Sequence, residues 1–90
     1  MRITLAGGTE IQHVNTCTVS PITGALVVHI EQAGIGEMAA LSAVLNDQEK
    51  TAVITAHRAE DDERVFEGYT RLTSLNYNGQ GRTVTAFLAK

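Results

Sequence analysis

Gly34-Ile35-Gly36-Glu37-Met38-Ala39-Ala40-Leu41-Ser42-Ala43-Val44-Leu45-Asn46 is the only stretch of this chain whose apolar residues recur with a helical period. Ile35, Met38, Leu41 and Leu45 fall at intervals of three, three and four, which places them on one face of a helix, the expected core side. Ala39, Ala40, Ala43 and Val44 occupy the remainder, with only Glu37 and Ser42 polar. A surface helix normally carries lysine or glutamate on its outer face. This one is therefore expected either to lie between two layers of its own chain or to present Ala39, Ala40, Ala43 and Val44 as an interface to another copy or another protein. A chain this small has little material for a second layer, which favours the interface, although alanine is also simply a good helix former. Gly34 and Gly36 break the preceding strand, Glu37 suits the positive N-terminal end, and Asn46-Asp47 can close the other. At 1.5 Å per residue the helix is about 18 Å long, too short to cross a bilayer.

Outward from the helix, the chain reads as short β-strands. Ile3 and Leu5 alternate with Arg2 and Thr4 before a turn at Gly7-Gly8. From Glu10 to Ser20, Ile11, His13, Cys17 and Val19 share one parity and Val14 breaks it, so one long strand with a bulge near Val14-Asn15 is expected. Ser20-Pro21-Ile22-Thr23-Gly24 is a turn, and Leu26, Val28 and Ile30 then mark a strand with one apolar face. After the helix, the polar linker Asn46 to Lys50 leads into a β-rich run from Thr51 to His57. Arg58 to Glu63 reads as an exposed hairpin loop. Val65 to Tyr77 resumes the sheet with a parity shift between Leu72 and Leu75, Asn78-Gly79-Gln80-Gly81 turns the chain, and Arg82 to Ala89 closes it. The expected fold is α+β: a mostly antiparallel, strongly bent sheet or small, partly open β-barrel of about seven strands, with one helix inserted between strands 3 and 4. No internal repeat is visible.

Ninety residues, 43% of them hydrophobic, suit one domain spanning 1–90. The net charge of −3 and the scattering of seven Lys and Arg argue against nucleic acid as a partner. The single cysteine, Cys17, excludes an internal disulfide. The opening Met1 to Gly8 has too short an apolar run for a secretion signal, so a cytoplasmic or virion-associated location is expected, with no membrane partner.

No motif carries chemistry. His13, His29 and His57 lie on three different strands. His29 and Glu31 share a strand face and, with His57, form the nearest approach to a metal or small-ligand site, yet a solvent-facing or locally hydrogen-bonded pair explains them better. Cys17 has no helix N-terminus or glycine elbow to activate it. Glu60-Asp61-Asp62-Glu63 lacks the spacing of a calcium loop, and Gly34-Ile35-Gly36 lacks the lysine of a phosphate-binding turn. Phe66, Tyr69, Tyr77 and Phe87 read as core packing rather than a stacking surface. No catalytic residue, cofactor or metal is expected.

In Val65-Phe66-Glu67-Gly68-Tyr69-Thr70-Arg71-Leu72, in the closing Thr83 to Lys90 and in the Gly8-Thr9-Glu10 turn, the chain resembles small uncharacterised proteins from phage and prophage tail-gene clusters of Gram-positive bacteria. Such proteins often continue into a charged helical tail, whereas this sequence stops at Lys90, and its helix is poorer in charge. The resemblance implies a non-enzymatic structural or assembly protein, a tail-associated component that forms a homo-oligomer or docks to other assembly proteins. The alternatives are a small-ligand or metal-binding β-barrel and, last, a hydrolase around Cys17.

Overall fold

The computed structural model describes residues 1–90. Eight strands and two helices follow one another as β1 (Arg2–Leu5), β2 (Glu10–Ile11), β3 (Val14–Val19), β4 (Leu26–Ile30), α1 (Ile35–Leu45), α2 (Gln48–Thr51), β5 (Val53–Ala59), β6 (Asp62–Glu67), β7 (Arg71–Asn78) and β8 (Thr83–Ala89). They form two antiparallel four-stranded sheets, ordered β2-β1-β5-β6 and β3-β4-β8-β7. This corrects the expectation of a single bent sheet or partly open barrel of seven strands. There is no closed barrel, and the helix enters between the fourth and fifth strands.

The difference has a local cause. The segment from Glu10 to Ser20 is two strands, separated at Gln12-His13, where His13 adopts φ +59°. β2 pairs with β1 in the first sheet and β3 with β4 in the second. A further irregularity between Val14 and Thr16 shifts the register again. The residues that reach the core are accordingly Ile11, Val14 and Cys17, while His13 and Val19 of the expected parity are exposed. Similarly, most of the expected loop from Arg58 to Glu63 is strand, and only Glu60 and Asp61 turn. The expected linker after the first helix contains α2, capped by Asp47, whose Oδ1 accepts from the backbone N–H groups of Glu49 and Lys50 at 3.1 and 3.4 Å.

The two sheets share one core. Ile3, Leu5, Ile54 and Ala56 from the first and Leu26, Val28, Ile30, Val84, Ala86 and Leu88 from the second belong to a single buried cluster. Each strand contributes alternate residues to it, as the burial of β4 and β8 shows. Met38, Leu41 and Val44 of α1 pack against this cluster, and Leu45 is wholly buried in it.

The strand pairing contains an internal repeat that the sequence does not display. In the second sheet Val14 faces Ile30, Thr16 faces His29, Cys17 faces Val28 and Val19 faces Leu26. Shifting each partner by 58 positions (14 to 72, 30 to 88) gives Leu72 facing Leu88, Ser74 facing Phe87, Leu75 facing Ala86 and Tyr77 facing Val84, all of which are paired. The register break between Val14 and Thr16 recurs between Leu72 and Ser74. In the first sheet the spacing differs but the pairing recurs: Ile3 facing Ile11 and Thr4 facing Glu10 correspond to Ile54 facing Phe66 and Thr55 facing Val65, and the central pairs β1–β5 and β4–β8 map onto themselves. The molecule is thus two four-stranded units related by an approximate twofold axis through both sheets, with α1 and α2 inserted between them.

Candidate functional site

The feature of α1 that its composition announces survives in three dimensions. The helix is apolar around its whole circumference, with Glu37 its only charged residue and no basic residue in its last turn. Yet only Leu45 is fully buried. Met38, Leu41 and Val44 are half-buried against the core, whereas Ala39, Ala40 and Ala43 are exposed. Of the four residues read as an interface, Val44 therefore faces the fold and the three alanines face outward. Ile35, expected on the core side, is 73% exposed. It occupies the first turn, at the opposite end of the helix from the buried Leu45. Gly34 caps this end without a side-chain hydrogen bond, and the Glu37 carboxylate folds back over it: a Cβ on Gly34 would lie 2.5 Å from Glu37 Oε2.

Beside the helix runs a groove of about 200 Å³ whose apolar floor is formed by Ile11, Ile30, Ala33, Ala40 and Leu41. Its rim carries Glu10, Glu31 and Glu37. Of the exposed apolar residues of α1, Ala40 lines this groove, and Ile35, Ala39 and Ala43 lie outside it.

The three histidines do not converge. His29 lies on the second sheet, where its Nδ1 is 2.9 Å from Thr85 Oγ1, and Glu31 lies past the end of that strand and does not contact it. His57 lies on the first sheet, with Nε2 2.8 Å from Thr4 Oγ1 and Nδ1 3.2 Å from Glu63 Oε1. This hydroxyl–imidazole–carboxylate chain joins β1, β5 and β6 and is not visible in the sequence. Only the register that sets Arg2 opposite His57, and His57 opposite Glu63, brings its members together. It has the order of groups of a nucleophilic triad, but the adjoining groove of about 500 Å³ is lined by Met1, Arg2, His13, His57 and Glu63 and not by Thr4. The Thr4–His57 and His57–Glu63 contacts tie β1, β5 and β6 together. His13 lines the same groove, and no three His, Cys, Asp or Glu residues come close enough to hold a metal ion.

Cys17 is buried in the core, and burial pushes its thiol from 9.0 up to about 11. A thiol held protonated at neutral pH is the reverse of an activated nucleophile. Among the aromatics, Tyr69 is buried and meets Phe66 edge-on at 6.3 Å, with Lys90 Nζ 5.0 Å above its ring. No helix is long and apolar enough to cross a membrane. No family model, curated protein or solved structure matches the chain.

Proposed function

We propose that the protein is a non-enzymatic assembly module that associates with a second copy of itself through the outward face of α1. The observation that carries this reading is the exposure of Ile35, Ala39, Ala40 and Ala43 on a helix with a single charge. Small side chains let two helices approach to about 8–10 Å. Antiparallel packing across a twofold axis sets each helix dipole against the other and keeps the two Glu37 carboxylates apart. Covering one Ile35 side chain contributes about 2 kcal/mol per copy, and the groove beside Ala40 and Leu41 extends the contact. The tail-associated role, with its cytoplasmic or virion location, rests on the resemblance in Val65 to Leu72, Thr83 to Lys90 and the Gly8-Thr9-Glu10 turn alone.

Light scattering across a concentration series tests the contact. The native chain should gain mass as it is concentrated. Ala43→Glu places a carboxylate at the centre of the face and should weaken association at least tenfold while leaving the fold intact, because Ala43 is exposed. A native chain that stays monomeric at millimolar concentration, or an Ala43→Glu variant that associates equally well, rules the helix contact out.

A further inference from the structure

We infer that the outer edge of β3 pairs with β3 of a second copy, joining the two β3-β4-β8-β7 sheets into one antiparallel sheet across a twofold axis. The two sheets have four edge strands, β2, β6, β3 and β7. An exposed edge is a row of unpaired N–H and C=O groups, which soluble proteins shorten, charge or cover. The first sheet does so at both ends: β2 is two residues long, and β6 carries Asp62, Glu63, Arg64 and Glu67. In the second sheet, β7 has α1 against it and Arg71 at its start.

β3 has none of these defences. The strand Val14-Asn15-Thr16-Cys17-Thr18-Val19 holds no charged residue, and Asn15, Thr16, Thr18 and Val19 are all exposed. Its only backbone bonds outside the ladder with β4 are the two between Val14 and Met1. The internal repeat sharpens the contrast, since β7 is the structural equivalent of β3 and is the one that the inserted helix accompanies. The bulge at Asn15 disrupts only the beginning of the edge, leaving Thr16 to Val19 regular.

A second copy fits this edge better than another occupant. Two β3 strands related by a twofold axis run antiparallel, which continues the alternation already present in the sheet, and β-branched threonines pair favourably across strands. Between Thr16 and Val19 neither edge brings a charged side chain to the contact; the Met1 ammonium lies at the start of the strand, donating to the Val14 carbonyl at 2.9 Å, and the net charge of −3 on each copy is screened by salt. The contact is independent of α1. A single isologous contact closes at the dimer, whereas two different ones on the same chain propagate into an open string of copies.

Amide hydrogen exchange on dilute and concentrated samples, with light scattering on the same samples, tests this on the native chain, Thr18→Lys, Ala43→Glu and the double variant. Thr18 is exposed, so Thr18→Lys should leave the core intact, and the protection of β4 and β8 amides reports that directly. Pairing predicts that the outward amides of Cys17 and Val19, which alternate with those directed at β4, gain at least tenfold protection in the concentrated native sample and in Ala43→Glu, but not in Thr18→Lys. Where α1 also associates, each single variant stops at a dimer, the double variant is a monomer, and the native chain grows beyond a dimer. Exchange in β3 that is independent of concentration overturns the inference, as does concentration-dependent protection that persists in Thr18→Lys. A mass unchanged by Ala43→Glu beside β3 protection that is lost in Thr18→Lys rejects the helix contact and keeps the strand contact.

Discussion

Cys17 illustrates how a single residue reports the environment that the fold makes for it. Its neighbours in sequence are polar and exposed on both sides, Thr16 and Thr18, while its own side chain enters the core opposite Val28. Desolvation raises the thiol to about 11 because the thiolate loses more by leaving water than the thiol does. The sign of the consequence follows from proton counting. Below pH 9.0 both folded and unfolded chains keep the proton and the thiol leaves stability independent of pH. Between pH 9.0 and about 11 the unfolded chain releases a proton that the folded chain retains, so stability falls as pH rises. Each pH unit of a one-proton difference is worth about 1.4 kcal/mol, so the whole window amounts to about 3 kcal/mol. Urea unfolding at pH 8 and pH 11 should therefore show a larger loss for the native chain than for Cys17→Ala, the comparison cancelling the tyrosines and lysines that titrate in the same range. Equal losses would mean that the thiolate is solvated in the folded state.

Among the elements, periodicity located nearly every apolar run, and between Glu10 and Ser20 what it missed depends on one residue that changes parity without a compositional mark. The register break between Val14 and Thr16 falls at the expected bulge, near Val14-Asn15, but His13 at φ +59° also divides the segment into two strands. Of Ile11, His13, Cys17 and Val19, which share one parity in the sequence, His13 and Val19 are consequently exposed, while Val14 is buried. Within α1 the spacing placed Met38, Leu41 and Leu45 on the packed side, but it has no means of telling which turn of a helix reaches the core, and Ile35 does not. The polar segment after α1 hid α2 because four residues are too few to show a period. Its signal was the cap itself. Asp47 satisfies two free N–H groups, Thr51 Oγ1 donates to the Asp47 carbonyl at 3.2 Å, and the Lys50 carbonyl accepts from Ala6 N–H at 2.9 Å, fastening the short helix to the end of β1. Asp47→Ala should cost about 1 kcal/mol in urea unfolding, and Asp47→Asn, which keeps an acceptor, about half of that or less. A loss that is the same for both variants would assign the effect to the charge near Lys50, 4.0 Å away, rather than to the cap.

At the scale of the molecule, the repeat explains why one core serves two sheets, and it also explains why the sheets could not be told apart beforehand. Outside the Ile3-Thr4 and Ile54-Thr55 pair, the equivalent core positions share size and polarity rather than identity: Cys17 answers to Leu75, Val28 to Ala86 and Leu26 to Val84. Parity assigns a residue to a face, but membership of one sheet or the other is decided by which hairpins meet, and that lies in pairings far apart in sequence such as Leu5 with Ile54 and Leu26 with Leu88. Each sheet takes one hairpin from either half of the chain. Neither half can bury its apolar face alone, and neither sheet can lose its packing without exposing the other's. Unfolding should therefore be a single cooperative event. Ile54 in the first sheet and Leu88 in the second are both wholly buried in the shared cluster. Ile54→Ala and Leu88→Ala should each cost about 2–5 kcal/mol. The informative reading is the shape of the transition: in both variants, tyrosine fluorescence and far-ultraviolet circular dichroism should shift together to lower urea with an unchanged slope. A variant in which one signal moves and the other stays would mean that the sheets melt separately, which a core shared between them does not permit.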